Sequence, residues 1–376
     1  MKKSIIAIAA VLAAGAAQAE SSVTLYGLID AGVTFVNNQG GDTNFKMDSG
    51  VMNGNRWGLR GREELNENLA AIFRVEGGFS LDNGNHGQGG KLFGRQAFAG
   101  LDIKDVGAVT FGRQYDFMDS IGDYTIAANQ FGGVYALESS GAFHNDSGLG
   151  SRATGGRVDN SIKFTSTNYS GLSFGAMYGA GENAQDKKDG RVLSATVAYD
   201  GVPNLSTRVA FTEVRGGAFA FPLINANGVP VQLPAVAINK TRIYGAGASY
   251  DLGFGKVNGV FTMNNTDTAA GKFKANVYEA GYTHKLSPQL SAGIGYQYFD
   301  NRTDDAKKLD IHGASVALDY AFSKRTDLYA LGVWNKAKSQ EIIPGVNAHI
   351  APDITGTGAS DSKNQVAVRV GLRHRF

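Results

Sequence analysis

Ser22-Val-Thr-Leu-Tyr-Gly-Leu-Ile-Asp-Ala-Gly-Val-Thr-Phe-Val36 decides the fold class. Val23, Leu25, Ile29, Ala31, Val33 and Phe35 share one parity and Thr24, Tyr26, Asp30 and Thr34 the other, the two-residue period of a strand with one apolar and one polar face. The period returns at residues 51–63, 69–81, 92–103 and 106–114, then at 158–168, 171–181, 190–200, 205–214, 240–250, 256–264, 275–286, 289–299, 309–322, 326–337 and 363–376. Sixteen strands are expected in all. The 51 glycines and 7 prolines alone would suit a linker, but 43% of residues are hydrophobic and the tyrosines and phenylalanines are evenly spread, which favours strands.

Before that stretch, Lys2 and Lys3 precede an apolar run over residues 5–17 and then Ala17-Gln18-Ala19, a small-x-small cleavage pattern. The expected organisation is a signal peptide at 1–19 and one domain at 20–376. Without Lys2 and Lys3 the mature chain carries 34 basic against 34 acidic residues, so no nucleic-acid-binding surface is expected. Cysteine is absent, which removes disulfides and thiolate metal sites. Beyond the leader no apolar run is long enough for a helical span, and the other form that satisfies every backbone group in lipid is a closed barrel.

The connections support a barrel. Those at 64–68, 104–105, 169–171, 201–204, 251–255, 287–289 and 323–326 are short, whereas 37–50, 82–91, 115–157, 216–239 and 339–362 are long and should share one rim. Short turns on one side and long loops on the other are the asymmetry of a transmembrane barrel. Tyr199, Tyr250, Tyr320 and Phe322 stand on the apolar parity just before short turns, as an interfacial girdle requires. Closure should pair 22–36 with 363–376, placing Val366, Val368, Val370, Leu372, His374 and Phe376 outward and Arg369, Arg373 and Arg375 inward.

Residues 115–157 lack a clear period over about forty residues, far beyond an ordinary connection. Asp116, Asp119, Asp123, Glu138 and Asp146 all precede the loop's first cation, Arg152, while the strands upstream carry Arg56, Arg60, Arg62, Arg74 and Arg95. Parity places Arg56, Arg60, Arg62 and Arg74 on the polar face with Glu76. Asp119 and Asp123, spaced i, i+4, would share a face if a helical turn forms there. Arg60 and Arg62, nearer the turn, are expected to pair with wall carboxylates, and Asp116, Glu138 and Asp146 to be ordinary loop residues.

Ser22-Val-Thr-Leu-Tyr-Gly-Leu-Ile-Asp-Ala-Gly32, Arg56-Trp-Gly-Leu-Arg-Gly-Arg-Glu63, Phe93-Gly-Arg-Gln-Ala-Phe-Ala-Gly-Leu101, Val109-Thr-Phe-Gly-Arg-Gln-Tyr-Asp116 and the terminal Val370-Gly-Leu-Arg-His-Arg-Phe376, in that order, resemble the general porins of the Gram-negative outer membrane, of the beta-proteobacterial trimeric type. The resemblance implies a sixteen-stranded antiparallel transmembrane β-barrel whose long third loop, here 115–157, folds inward and narrows the lumen. It implies a basic constriction wall at Arg56 and Arg95, joined by Arg157, and a terminal Phe376 read by the outer-membrane assembly machinery. It also implies a homotrimer, with 82–91 reaching a neighbour, in outer-membrane lipid and lipopolysaccharide, and small hydrophilic solutes and ions as cargo.

With Arg56, Arg74, Arg95 and Arg157 on the wall and Asp119 and Asp123 on the loop, the local balance is positive, so weak anion preference is expected, growing below about pH 4 as the carboxylates protonate. No cofactor or metal is expected: the six histidines are scattered without ligand spacing, and His144 near Ser147 is a poor case for catalysis. Two other readings stand beside the diffusion channel. Tyr115, Phe117, Tyr124 and Phe131 could form the aromatic track of a substrate-specific channel, and the loops at 216–239 and 339–362 could serve an adhesin.

Overall fold

The computed structural model describes residues 22–125, 156–219, 222–224, 230–232, 236–269, 271–303, 308–339, 354 and 356–376. The expected signal peptide, Phe131, Glu138, His144, Asp146 and Ser147 lie outside the described residues. The strands are β1 (Ser22–Gln39), β2 (Asp42–Ser49), β3 (Arg56–Asn66), β4 (Leu69–Gly78), β5 (Gln96–Ile103), β6 (Gly107–Tyr115), β7 (Arg157–Ser166), β8 (Leu172–Gly179), β9 (Val192–Tyr199) and β10 (Leu205–Arg215). They continue with β11 (Ala218–Phe219), β12 (Pro222–Ile224), β13 (Pro230–Gln232), β14 (Val236–Asp251), β15 (Gly255–Thr268), β16 (Gly271–Lys285), β17 (Leu290–Thr303), β18 (Lys308–Ala321), β19 (Thr326–Ser339) and β20 (Asn364–Arg375).

Each barrel strand pairs antiparallel with its neighbours, and β1 closes the sheet on β20 in the register Leu28↔Arg375 to Val36↔Ala367. Since β2 and β3 flank successive halves of β1 and β11 prolongs β10, the closed sheet has sixteen strand positions. Closure extends to the last residue: Phe376 and Gly27 exchange two backbone hydrogen bonds of 3.0 Å, with the phenylalanine ring over Gly27. Val368, Val370, Leu372 and Phe376 are exposed on the outside, while Arg369 and Arg373 are buried inside. Tyr199, Tyr250, Tyr320 and Phe322 are outward and exposed, as a girdle requires. His374, the polar member of the outward row, bonds through Nδ1 to Thr326 Oγ1 at 2.9 Å near the strand end.

The structure departs from the sequence reading in several places. Residues 37–50 are not a loop but a hairpin turned at Gly40 and Gly41, because Phe45 and Met47 keep the alternation of β1 going along β2. The second expected strand starts late, at Arg56, and residues 50–55 fold inward, with Val51 and Met52 buried. One connection on the long-loop rim, between β15 and β16, is a tight hairpin joining Thr268 to Gly271.

The interior is not uniformly polar. Val36, Leu331, Val333 and Ala367 face inward and are covered by Val51, Met52 and Ile354. Across the barrel, inward Met177, Val192, Ala210, Ile243 and Val260 are covered by residues of the 115–157 loop. An alternating strand can hide an apolar inner residue only where another segment shields it from the water-filled lumen.

Candidate pore constriction

Two inserted segments shape the lumen. The first is a 3-10 helix, Phe117–Tyr124, directly after β6. At three residues per turn, Met118, Ile121 and Tyr124 stack along one edge, and all three are buried. That edge lies on β14, where a Cβ at Gly245 would come within 2.6 Å of Met118 and one at Gly247 within 2.6 Å of Tyr124. The bare backbone lets the helix seat against the wall. Polar contacts fix it there: Phe117 N–H donates to Ser194 Oγ at 3.0 Å, Asn258 Nδ2 donates to the Tyr124 carbonyl at 2.8 Å, and Tyr124 Oη bonds Ser206 Oγ at 2.7 Å. Burying these large apolar side chains stabilises the docked helix by about 1.5–3 kcal/mol apiece before entropy is charged.

The helical turn expected around Asp119 and Asp123 forms, but its three-residue pitch sets positions i and i+4 about a third of a turn apart. The two carboxylates accordingly meet different cations, Asp119 near Lys163 and Arg157, Asp123 near Arg208 and Lys256. Burial, reinforced by the neighbouring charges of Asp116 and Asp123, pushes the Asp119 carboxyl up to about 7. Burial also raises Asp123. Asp116 ties the loop's ends together, exchanging contacts with Gly156 through its backbone N–H at 2.9 Å and its carboxylate at 3.1 Å.

The second inserted segment is residues 50–55. Asp30, fully buried, accepts hydrogen bonds from the backbone N–H of Met52 at 2.5 Å and Asn53 at 2.9 Å, and from Tyr329 Oη at 2.6 Å. Arg369, with no exposed surface, reaches Asp30 at 3.3 Å, donates to Tyr329 Oη at 2.7 Å and contacts Asp48. The network holds residues 50–55 so that the Gly54 carbonyl accepts from Arg56 Nε at 2.8 Å.

The basic wall lies on β3 to β7. Arg95 donates through Nε to Glu76 Oε1 at 2.6 Å, and Tyr26 Oη donates to Glu76 Oε2 at 2.8 Å. Arg157, opposite Tyr115 in the β6–β7 ladder, lies 4.8 Å from that ring's centroid and donates to its hydroxyl at 2.7 Å through Nη2. The Arg95 guanidinium lies 5.9 Å from the same ring's centroid. Arg74 stands lower, opposite Arg60, and both guanidinium groups reach the Tyr26 ring, at 5.8 and 5.7 Å. Arg56, Arg95 and Arg157 thus gather around Tyr115 and Glu76, with Arg74 one rung below. Arg62 leaves the group and pairs with Glu64 and Asp102 near the turn.

Tyr26, Glu76 and Lys163 were not among the expected site residues. Lys163 Nζ donates to the Tyr115 carbonyl at 2.9 Å and lies 4.4 Å from the Phe117 ring. The inward parity of Tyr26 and Glu76 was legible in the alternation, but which arginines they hold depends on cross-strand register.

A model of the family described as Gram-negative porin matches residues 6–339. An outer membrane porin protein of Bordetella pertussis is 34% identical over all of both chains. Among solved structures, the anion-selective porin from Comamonas acidovorans aligns with a TM-score of 0.74 at 24% identity, covering 95% of this chain and all of that one. The trimer form of OmpT from Vibrio cholerae aligns with a TM-score of 0.66 at 15% identity, covering 95% of this chain and 99% of that one.

Proposed function

Because the chain belongs to the family of Gram-negative porins, non-enzymatic channels of the outer membrane, we propose that small hydrophilic solutes and ions cross between its docked loop helix and its arginine wall, with a weak preference for anions. One observation carries this reading: Arg56 and Arg95 stand beside the bonded carboxylate of Glu76, and Arg95 and Arg157 share the Tyr115 ring. Charges bias ions only within about a Debye length, roughly 8 Å at physiological salt, so this group outweighs the neutral total of the mature chain. The acidic side is weakened because Asp119, pushed up to about 7, is part-protonated at neutral pH. The description of the Comamonas relative as anion-selective supports the same sign. Reversal potential in a salt gradient tests it: anion preference is expected, reduced in Arg56→Ala and Arg95→Ala, and cation preference in the wild type overturns it.

We infer a homotrimer on the side of β3 to β5, where Ala71, Ala97 and Ala99 give a flat outer face beside residues 82–91. Closed cyclic symmetry suits identical barrels in one plane, and the Vibrio protein was solved in a trimer form. The folded barrel in mild detergent should have the mass of three chains; the mass of one counts against this. Engagement of the assembly machinery through Phe376 is tested by deletion, which should reduce heat-resistant, membrane-inserted protein.

A further inference from the structure

Ile72 and Phe98 are apolar residues on the polar parity of their strands. Phe73 and Leu101, 37% and 42% exposed on the outside, fix that parity, so Ile72 of β4 and Phe98 of β5 turn into the lumen, where both are half-buried. The inward apolar groups described above are covered by residues 50–55 with Ile354 or by the loop helix, and Ile72 and Phe98 belong to neither. Apolar surface facing lumen water is unfavourable unless a passing solute covers it.

The cations beside them are unmatched as well. Arg60 of β3 stands directly opposite Arg74 of β4, a position in which like charges repel. Among the described residues neither makes an ion pair: Glu76, one rung above, is engaged by Arg95 and Tyr26, while Glu64 and Asp102 are engaged by Arg62. The pairing with a wall carboxylate expected of Arg60 is therefore not found there. Thr24, opposite Arg60, adds a hydroxyl on the β1 side. Gly100, opposite Ile72, and Gly112, opposite Phe98, add no side chain, and a recess of about 380 Å³ is lined by Arg60, Arg74, Ile72 and Phe98. That volume is at the lower end for small-ligand sites, roughly 300–1,000 Å³. Its place between Glu76 and the short turn at 64–68 sets it on the periplasmic side of the proposed aperture.

We propose that this recess is a weak binding site for small aromatic monocarboxylates, the carboxylate bridging Arg60 and Arg74 and the ring lying against Phe98 and Ile72. The proposal rests on the channel reading and deepens it by naming a solute class for the path below the aperture. The two oxygens of one carboxylate can each take a guanidinium, which removes the repulsion across the β3–β4 pair. A flat ring covers Phe98 and Ile72 with few rotors to freeze, which favours it over a flexible aliphatic acid. A small anion such as acetate leaves the apolar half bare, and a neutral aromatic alcohol leaves both arginines unmatched. Weak holding suits a channel, since a solute must leave as readily as it enters.

The test uses the full folded chain in planar bilayers, with benzoate as probe added to potassium chloride. Benzoate should reduce the chloride current in a saturating manner, while acetate and benzyl alcohol at equal concentration should not. Arg60→Gln should raise the half-blocking concentration about tenfold, as for the loss of one charge-assisted contact. Phe98→Ala should raise it too with no change of charge, and Ile72→Ser on the neighbouring strand gives a second reading of the ring contact if Phe98→Ala fails to fold. Benzoate block unchanged in Phe98→Ala and Ile72→Ser, or equal block by acetate in the wild type, overturns the site. The wild-type reversal potential in potassium chloride alone reports ion preference separately. An anion-preferring pore indifferent to benzoate removes this site and leaves the proposed function standing, whereas a cation-preferring pore blocked by benzoate removes the ion preference and keeps the site.

Discussion

Arg95 and Glu76 form a 2.6 Å ion pair inside the barrel wall, with only 10% and 4% of their side chains exposed. Each also contacts a tyrosine, Arg95 lying 5.9 Å from the Tyr115 ring centroid and Glu76 accepting from the Tyr26 hydroxyl at 2.8 Å. The pair is both a structural tie across the β4–β5 junction and the balance of charge at the proposed aperture. Glu76→Gln should therefore increase anion preference in reversal-potential measurements while costing about 1–3 kcal/mol of stability, because a buried arginine loses its charged partner. Arg95→Ala should shift preference toward cations. Identical reversal potentials in both variants would mean that ions do not pass within a Debye length of this pair.

The seat of the loop helix can be probed from beneath. A leucine at Gly245 cannot coexist with Met118 and Ile121 in place, since even a Cβ there lies 2.6 and 2.9 Å from them. Gly245→Leu should push the helix off β14 toward the arginine wall and lower single-channel conductance, while the closed sheet keeps its heat resistance. Unchanged conductance would show that the helix does not bound the path.

Much of this architecture was legible in the chain, because alternation reports which side each residue faces whatever its neighbour. Parity placed Arg56, Arg74 and Arg369 inside and the Val366 to Phe376 row outside. What period two cannot report is a segment that leaves its strand. Val51 and Met52 read as a strand start but turn inward, since the Asp30 carboxylate accepts from the backbone N–H of Met52 and Asn53. Leu331 and Val333 break the polar-inside rule because residues 50–55 and Ile354 cover them. The positions Met118, Ile121 and Tyr124, three apart, with Gly245 and Gly247 on a distant strand, did carry a signal for the docked helix. Only register brings the two halves together.

Residues 50–55 yield a prediction of their own. Tyr329→Phe removes the hydroxyl that donates to Asp30 and accepts from Arg369, leaving both buried charges short of a partner. The loss should be about 1–3 kcal/mol. Freed from its anchor, the segment no longer presents the Gly54 carbonyl to Arg56, so conductance should become noisier and anion preference should fall. A stability loss with unaltered currents would limit the network to a structural role.

The last prediction concerns acid and corrects a window that ordinary carboxylate chemistry suggests. From an ordinary 3.8, Asp119 would change charge only in strong acid, but burial and the negative charges of Asp116 and Asp123 raise it to about 7, against the opposing pull of Lys163 and Arg157. The folded protein thus favours protonated Asp119, so the folded state is penalised as pH rises from about 4 through 7 and relieved as it falls. For permeation the sign is direct: lowering pH through about 7 removes a negative charge beside Arg157 and Lys163. Anion preference should grow between about pH 8 and 6 rather than only below 4. Asp119→Asn should show the acid value at every pH and lose the step, while Asp123→Asn, whose carboxylate is drawn by Arg208 and Lys256, should retain it. Reversal potentials at pH 8 and 5.5 decide the matter: a step that survives in Asp119→Asn assigns the titration elsewhere, and a wild type with no step above pH 5 shows that Asp119 stays ionised at the aperture.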